Sequence, residues 1–140
     1  MNLTLKRIRA AHFEAFTSSG HKIALDGPPH IGGQNRGARP MEMVLIGLAG
    51  CSSVDILMIL EKGRHAVEDL EIEVSAVRTD AVPAVFSDIH LIFIASGSMQ
   101  EKHLNRAASL SMEKYCSVAQ MLLPKVRITH ETQLRKSPQG

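Results

Sequence analysis

The sequence predicts a single α+β domain in which an antiparallel sheet packs against one long apolar helix. Its 140 residues are enough for one domain with a hydrophobic core. Three observations indicate this class. Short alternating segments open the chain, an almost continuous apolar segment follows at residues 41–60, and two further alternating segments come after it. Strands on both sides of a helix, without a regular strand–helix alternation, are typical of α+β proteins.

Residues 1–25 are predicted to form a short meander, because residues 3–9, 11–16 and 21–25 carry alternating, β-compatible side chains. Residues 26–39 follow as a loop that is rich in Gly and Pro. The glycines of this loop do not have the spacing of a phosphate-binding turn between a strand and a helix, so we expect no nucleotide site. A loop of this length in a small domain often has a functional role.

A helix is predicted over residues 40–63. Pro40 suits the first helical position, where its missing N–H is harmless, and Gly63 ends the helix. The segment is apolar around most of its circumference, so we expect it to be a central helix covered on several sides. Its length approaches that of a membrane span, but Asp55 lies near the middle, where a charge in lipid is costly. We therefore expect a buried core helix and no membrane partner.

The second half of the chain begins with a predicted hairpin over residues 67–96. Apolar and polar residues alternate in both of its strands, and the turn lies at Asp80–Pro83. Helices are predicted over residues 98–122, and a last strand over residues 125–135. Ser98–Glu101 and Ser117–Gln120 have the pattern of helix capping boxes, which predicts a break between two helices near Cys116.

Composition limits the partners and the compartment. The formal net charge of +2, with no run of Lys or Arg, predicts no nucleic-acid partner. The charged start of the chain does not have the pattern of a signal peptide. Two cysteines do not make a secreted disulfide scaffold, so we expect a cytoplasmic protein whose thiols are kept reduced.

Cys51 and Cys116 are the candidate reactive residues. A helix capped at Ser117 would place unsatisfied N–H groups beside the sulfur of Cys116, which favours its thiolate. Cys51 lies in the middle of an apolar helix, so a reactive thiolate there requires an imported cation, for which Arg36 and Arg39 are candidates. The residues leave open a two-cysteine redox role, inert core thiols, and metal binding. Since no His has ligand spacing to either Cys and two thiolates alone make a poor zinc site, we expect no metal and no cofactor.

Two acidic residues share the helix with Cys51. Glu42 precedes Cys51 by nine positions, which places it on the opposite face and about 13 Å away along the axis of a straight helix. Assistance from Glu42 therefore requires a bent first turn or a second subunit, and its alternative role is to stabilise the helix start. Asp55 lies one turn after Cys51 on the same side, where it either opposes the thiolate or binds a hydroxyl or an Arg.

Two segments carry a resemblance to a known family. Pro40–Asp55 contains Pro-Met-Glu and Gly-Cys-Ser, and Glu113–Ala119 reads Glu-Lys-Tyr-Cys-Ser-Val-Ala. From about residue 28 to residue 132 the chain resembles the OsmC/Ohr family of organic hydroperoxide reductases and osmotically induced proteins, and is most similar to its YhfA-type branch. The resemblance implies an intertwined homodimer in which a six-stranded antiparallel sheet wraps central helices. It also implies active sites at the dimer interface.

The same resemblance implies roles for the candidate residues. The peroxidatic cysteine of the family falls on Cys51, its resolving cysteine on Cys116, and its assisting Glu near Glu42. In the hydroperoxide reductases that Glu directly follows the Pro, where this chain has Met41. The assisting Arg of the family comes from the N-terminal half, where Arg36 and Arg39 are candidates.

The sequence therefore predicts an enzyme of oxidative or osmotic stress defence. It would reduce hydroperoxides through a Cys51 sulfenate and a Cys51–Cys116 disulfide, with a cellular thiol or dithiol as the reductant. The alternative is a non-enzymatic member of the fold that binds a small apolar ligand or acts as a redox-sensitive interaction protein. A third hypothesis is a structural homodimer in which both thiols only fill the core.

Overall fold

The computed structural model describes residues 1–136, which divide into two compact units, residues 1–46 and the residues from 47 onwards. The first unit contains a meander of three strands, whose order is β1-β2-β3 with antiparallel pairing throughout. A single 3₁₀ turn follows at Pro29–Ile31, and the first residues of helix α1 complete the unit. The strands are β1 (Leu3–Arg9), β2 (His12–Thr17) and β3 (Lys22–Asp26).

The second unit contains the rest of α1, a three-stranded sheet and two shorter helices. Its elements are α1 (Pro40–Lys62), β4 (Ala66–Arg78), β5 (Phe86–Ser98), α2 (Glu101–Leu110), a π-helical segment (Ser111–Tyr115), α3 (Ser117–Leu122) and β6 (Arg127–Arg135). The strand order is β4-β5-β6. The predicted hairpin is present as the antiparallel β4–β5 pair, with longer strands than expected.

The α+β class is confirmed, but the arrangement of the sheet differs from the expectation. In the part of the chain that the structure describes, the strands form two three-stranded sheets and not one six-stranded sheet, and β5 pairs with β6 in parallel. The parallel pairing follows from the connection, because α2, the π-helical segment and α3 carry the chain back to the same end of the sheet before β6 begins.

The core of the second unit lies around the central strand β5. Ile89, Leu91, Phe93 and Ala95 are buried at alternating positions, as predicted from the sequence. From α2, Leu104, Ala107 and Ala108 are also buried. Helix α2 starts later than expected, because Ser98 still belongs to β5. Its N-cap is Gln100, which exchanges hydrogen bonds with the third helical residue, His103.

Helix α1 is covered on one face and not on several sides. Its buried residues Leu48, Ser52, Ile56 and Leu60 follow one another at four-residue spacing. Large apolar side chains on its other faces remain exposed, including Val54, at 56% of its full accessible area, Leu57 and Met58. The helix is long and apolar enough to cross a membrane, a criterion that the core helices of soluble proteins also meet. An exposed apolar surface of this kind marks a site of interaction.

Candidate functional site

Helix α1 carries the first half of the candidate site. Cys51 and Asp55 lie one helical turn apart, so their side chains leave the same side of α1. Both residues are half-buried, next to the fully buried Ser52. The Ser52 hydroxyl donates to the carbonyl of Leu48 at 2.9 Å. The hydrogen-bonding need of this buried hydroxyl is therefore met within the helix and not by the neighbouring thiol of Cys51.

The break between α2 and α3 positions the second cysteine. The backbone N–H of Cys116 donates to the carbonyl of Ser111 at 2.7 Å, a bond across five residues that closes the π-helical segment. Cys116 is then extended, with φ −71° and ψ 108°, and is the N-cap of α3. The backbone N–H of Ala119 donates to its sulfur at 3.4 Å. The break predicted near Cys116 is confirmed, although Cys116 itself, and not Ser117, is the capping residue.

These elements bring both thiols and one carboxylate together. Cys51 Sγ, Cys116 Sγ and an oxygen of Asp55 all lie within 4.8 Å of one another, and both cysteines are free thiols. The hydroxyl of the buried Ser111 donates to Asp55 Oδ2 at 3.0 Å. Asp55 thus binds a hydroxyl, one of the two roles left open by the sequence. Nothing in the sequence context of Ser111 indicates this partner 56 residues away.

Burial determines the protonation of Cys116. The residue is fully buried, and this burial, with a smaller effect of the adjacent Cys51, raises the pKa of Cys116 from 9.0 to about 11 against the opposing effect of the Ala119 N–H. The expected effect of the helix N-terminus is present, because the backbone N–H groups of Ala119 and Val118 lower the pKa of Cys116, but it does not set the net direction. The predicted N–H contact exists, but desolvation outweighs it, and Cys116 is a thiol at neutral pH.

A cleft opens beside the carboxylate of Asp55. Its volume is about 510 Å³, which lies in the usual range of pockets that bind small organic molecules. Apolar side chains from α1 and the end of α2 form most of its wall, and Lys62 and Arg106 add positive charge. The lining residues are Asp55, Met58, Ile59, Lys62, Gly63, Arg106, Leu110 and Tyr115. The sequence did not indicate this cleft, since its walls come from segments about 50 residues apart.

The candidate residues of the first unit have local partners of their own. Glu42 Oε1 accepts a hydrogen bond from the backbone N–H of Arg39 at 2.8 Å, so Glu42 stabilises the start of α1, the alternative role considered for it. The backbone N–H of Arg36 donates to Asp26 Oδ2 at 3.2 Å. Within residues 1–136, the buried Nη1 of Arg39 has no hydrogen-bond partner. A buried guanidinium nitrogen whose N–H groups have no acceptor is able to bind an anion.

Asp26 organises the loop that carries both arginines. Its side chain is buried, and Oδ2 also accepts from the backbone N–H of Gln34 at 3.0 Å. The N–H of Gln34, aided by that of Arg36, lowers the pKa of Asp26 against the opposing effect of burial. Sequence reasoning missed this role of Asp26, although an Asp at the start of a Gly-rich loop is a common acceptor for loop N–H groups.

The fold and the paired thiols define a class of protein, namely a small α+β protein with a partly buried dithiol between a long apolar helix and a helix N-cap. Comparison with known proteins specifies the family. Residues 33–131 match the model of the OsmC-like protein family. The chain belongs to this family, as the resemblance of its two cysteine segments predicted.

The relatives include proteins of close and of distant sequence. The chain is 40% identical over 131 residues to "Protein YhfA" of Escherichia coli, which covers 93% of this chain and 95% of that protein. It is 31% identical to a hypothetical protein from Aquifex aeolicus, with a TM-score of 0.86 and coverage of 97% and 96% of the two chains. The organic hydroperoxide resistance protein OhrB of Bacillus subtilis is 14% identical, with a TM-score of 0.63 and coverage of 94% and 96%, so this likeness concerns the fold alone.

The raised pKa of Cys116 generates a prediction for alkylation. In a Cys51→Ala variant, the rate at which iodoacetamide modifies Cys116 should rise with a midpoint well above pH 9, because burial holds the thiol protonated in the folded protein. The rate is measured by mass spectrometry across pH 7–11.5. The same variant unfolded in guanidinium is the control, and its midpoint should return to about 8.5–9. A folded-state midpoint at or below that of the unfolded chain would contradict the prediction.

Proposed function

We propose that the protein reduces organic hydroperoxides with the Cys51–Cys116 pair, as an antioxidant enzyme of stress defence. The observation that carries the proposal is the approach of the two free thiols to within 4.8 Å. Membership of the OsmC-like family supports it, and hydroperoxide resistance proteins such as OhrB share the fold. The different environments of the two cysteines give each a distinct role.

Cys51 is the cysteine that meets the peroxide. It is half-buried, whereas Cys116 is fully buried and protonated at neutral pH. The Cys51 thiolate attacks one oxygen of the hydroperoxide, the O–O bond breaks, and the alkoxide leaves and takes a proton from water. Cys51 becomes a sulfenic acid.

Cys116 then resolves the sulfenic acid. Its sulfur forms the S–S bond with Cys51, and the sulfenic hydroxyl leaves as water with the proton of the Cys116 thiol. Because the thiolate is the nucleophile, the proton of the buried Cys116 leaves its sulfur as the S–S bond forms, and the departing hydroxyl accepts it. A cellular thiol or dithiol reduces the disulfide by two successive exchange steps, in a reducing compartment that we take to be the cytoplasm.

The cleft beside Asp55 supports an organic substrate over hydrogen peroxide. Its volume of about 510 Å³ suits a hydroperoxide with a hydrocarbon body. Met58, Ile59 and Leu110 would receive that body. The peroxide group would then lie near Asp55, whose carboxylate is close to both sulfurs.

Trapping of the intermediates tests this function. Reduced protein treated with cumene hydroperoxide should form an intramolecular Cys51–Cys116 disulfide, detected by peptide mass spectrometry. Cys116→Ser should stop at a Cys51 sulfenate that dimedone captures, and Cys51→Ser should consume no peroxide. Peroxide consumption by Cys51→Ser at the rate of the unaltered protein would exclude the mechanism. Intact thiols in the unaltered protein would favour the alternative, a non-enzymatic protein that binds an apolar ligand in the cleft.

The proposed activation of Cys51 uses a guanidinium group, since the nearby Asp55 carboxylate opposes a thiolate. Arg39 is the preferred candidate because its buried Nη1 has no hydrogen-bond partner in the described chain. Arg36 is the second candidate. Glu42, which already binds the backbone of Arg39, would hold that segment in place, from the same or the opposite subunit.

Substitution of the two arginines distinguishes them. Arg39→Gln should slow sulfenate formation at pH 7 by about tenfold or more, because a cation beside a thiolate stabilises it by at least that factor. The measurement is the stopped-flow rate with cumene hydroperoxide, and a rise of pH should restore much of the rate. Arg36→Gln is the matched control and should change the rate little. Equal rates for Arg39→Gln and the unaltered protein would remove Arg39 from the mechanism.

We also propose that the functional form is a homodimer with its active sites at the interface. Val54, Leu57 and Met58 of α1 are exposed in the single chain. A side chain added at Gly47 or Gly50 would meet no atom within 4 Å, so another backbone has room to approach α1 beside Cys51. Burial of this surface against a second copy would satisfy the expectation that α1 is a central helix.

A charged substitution tests the dimer. Val54→Glu should convert a dimer into monomers, because it places a carboxylate in the proposed apolar interface. Light scattering after size-exclusion chromatography gives the mass. Val82→Glu is the matched control in the β4–β5 turn, where the side chain is fully exposed, and it should remain dimeric. A monomeric unaltered protein, or a Val54→Glu variant that remains dimeric, would contradict the proposed interface.

A further inference from the structure

The site contains three metal-ligating atoms in one place, although the sequence led us to expect no metal. Two thiols alone make a poor zinc site, and no His has ligand spacing to either Cys. The fold adds Asp55 as a third donor, with its carboxylate and both sulfurs within 4.8 Å of one another. Two thiolates and one carboxylate form a donor set that zinc and related thiophilic cations accept.

The geometry is close to that of a bound ion. Around a tetrahedral zinc with Zn–S bonds of about 2.3 Å, two sulfurs lie about 3.8 Å apart. The two sulfurs therefore need to approach each other by about 1 Å or less to share one ion. All three residues belong to the second unit, where α1 supplies two of the donors and the N-cap of α3 supplies the third. Three protein donors leave a fourth coordination position for water.

A hydrogen-bonded neighbour orients the carboxylate. Ser111 is fully buried, and its hydroxyl donates to Asp55 Oδ2 at 3.0 Å. The other carboxylate oxygen therefore remains available as a ligand. Hydrogen bonds of this kind fix the orientation of metal ligands and contribute to metal affinity.

We propose that the reduced protein binds one zinc-class divalent cation per chain through Cys51, Cys116 and Asp55. Both thiol protons pass to solvent when the ion binds, and its two positive charges offset the charges of the two thiolates that form. This site has a regulatory consequence that rests on the proposed function. The ion holds both sulfurs as ligands, so it blocks their oxidation by peroxide, and formation of the disulfide removes two ligands and releases the ion.

Direct binding to metal-free, fully reduced protein tests the site. Zn²⁺ is titrated in competition with a chromophoric chelator, and Cd²⁺ is followed by its ultraviolet thiolate-to-metal charge-transfer band. We expect one ion per chain and a cadmium–thiolate band. Cys51→Ser and Cys116→Ser should abolish the stoichiometric binding. Ser111→Ala should weaken it by about 10–100-fold, as is usual for a residue that orients a ligand, and Asp55→Asn should weaken it more.

Two controls separate this site from other causes of binding. His65 and His103 form a stacked pair with ring centroids 3.9 Å apart, so His65→Gln tests whether zinc binds there instead, and it should leave the affinity unchanged. Unaltered protein oxidised with diamide retains every residue and should lose the ion, which makes the result independent of the folding of a variant. Unchanged affinity in Asp55→Asn, or binding that His65→Gln abolishes, would overturn the proposal.

One parallel experiment distinguishes a failure of the proposed metal site from a failure of the proposed peroxide reduction. Metal-free protein is treated with cumene hydroperoxide in parallel, and one equivalent of Zn²⁺ should slow its oxidation until a chelator is added. Zinc binding without peroxide-driven disulfide formation would leave the metal site standing and reject the proposed function. Disulfide formation without zinc binding would reject the metal site alone.

Discussion

The hydrogen bond from the Cys116 N–H to the Ser111 carbonyl is the interaction on which the candidate site depends. It closes the π-helical segment that ends α2, and so determines the place of the residues at both of its ends. At one end, Ser111 points its hydroxyl at Asp55, and at the other, Cys116 begins α3 beside Cys51. A regular α-helix through the same residues would turn these side chains to different positions, and the contacts with α1 would be lost.

Burial and a nearby hydrogen-bond donor have opposite effects on the pKa of the Cys116 thiol. Burial keeps Cys116 protonated, although the N–H of Ala119 points at its sulfur. Asp55 places a carboxylate within 4.8 Å of both sulfurs. The proposed mechanism therefore draws on positive charge from elsewhere for Cys51. The two sources that we propose, the guanidinium of Arg39 and a divalent cation, would have opposite consequences, since the first would activate a thiolate and the second would hold it as a ligand.

Much of the fold could be predicted from the pattern of residues, because those features depend on local interactions. Pro40 marks the first residue of α1, and the alternation at Ile89, Leu91 and Phe93 correctly indicates the buried face of β5. Errors occurred where neighbours in space decide. The N-cap of α2 is Gln100 and not Ser98, because the pairing of β5 with β4 continues through Ser98. The parallel direction of β6 follows from the path of the connection and not from its own residues.

The sequence by itself determined the type of fold, the two cysteines and the family, because periodicity, capping residues and the two cysteine segments are local properties of the chain. It also showed that α1 is too apolar to stand alone in water. Only the tertiary structure decided that the two sulfurs meet, that Asp55 joins them with Ser111 as its partner, and that burial outweighs the helix N-terminus at Cys116. The physical reason is that proximity and desolvation depend on atoms more than 50 residues away, which no local pattern records.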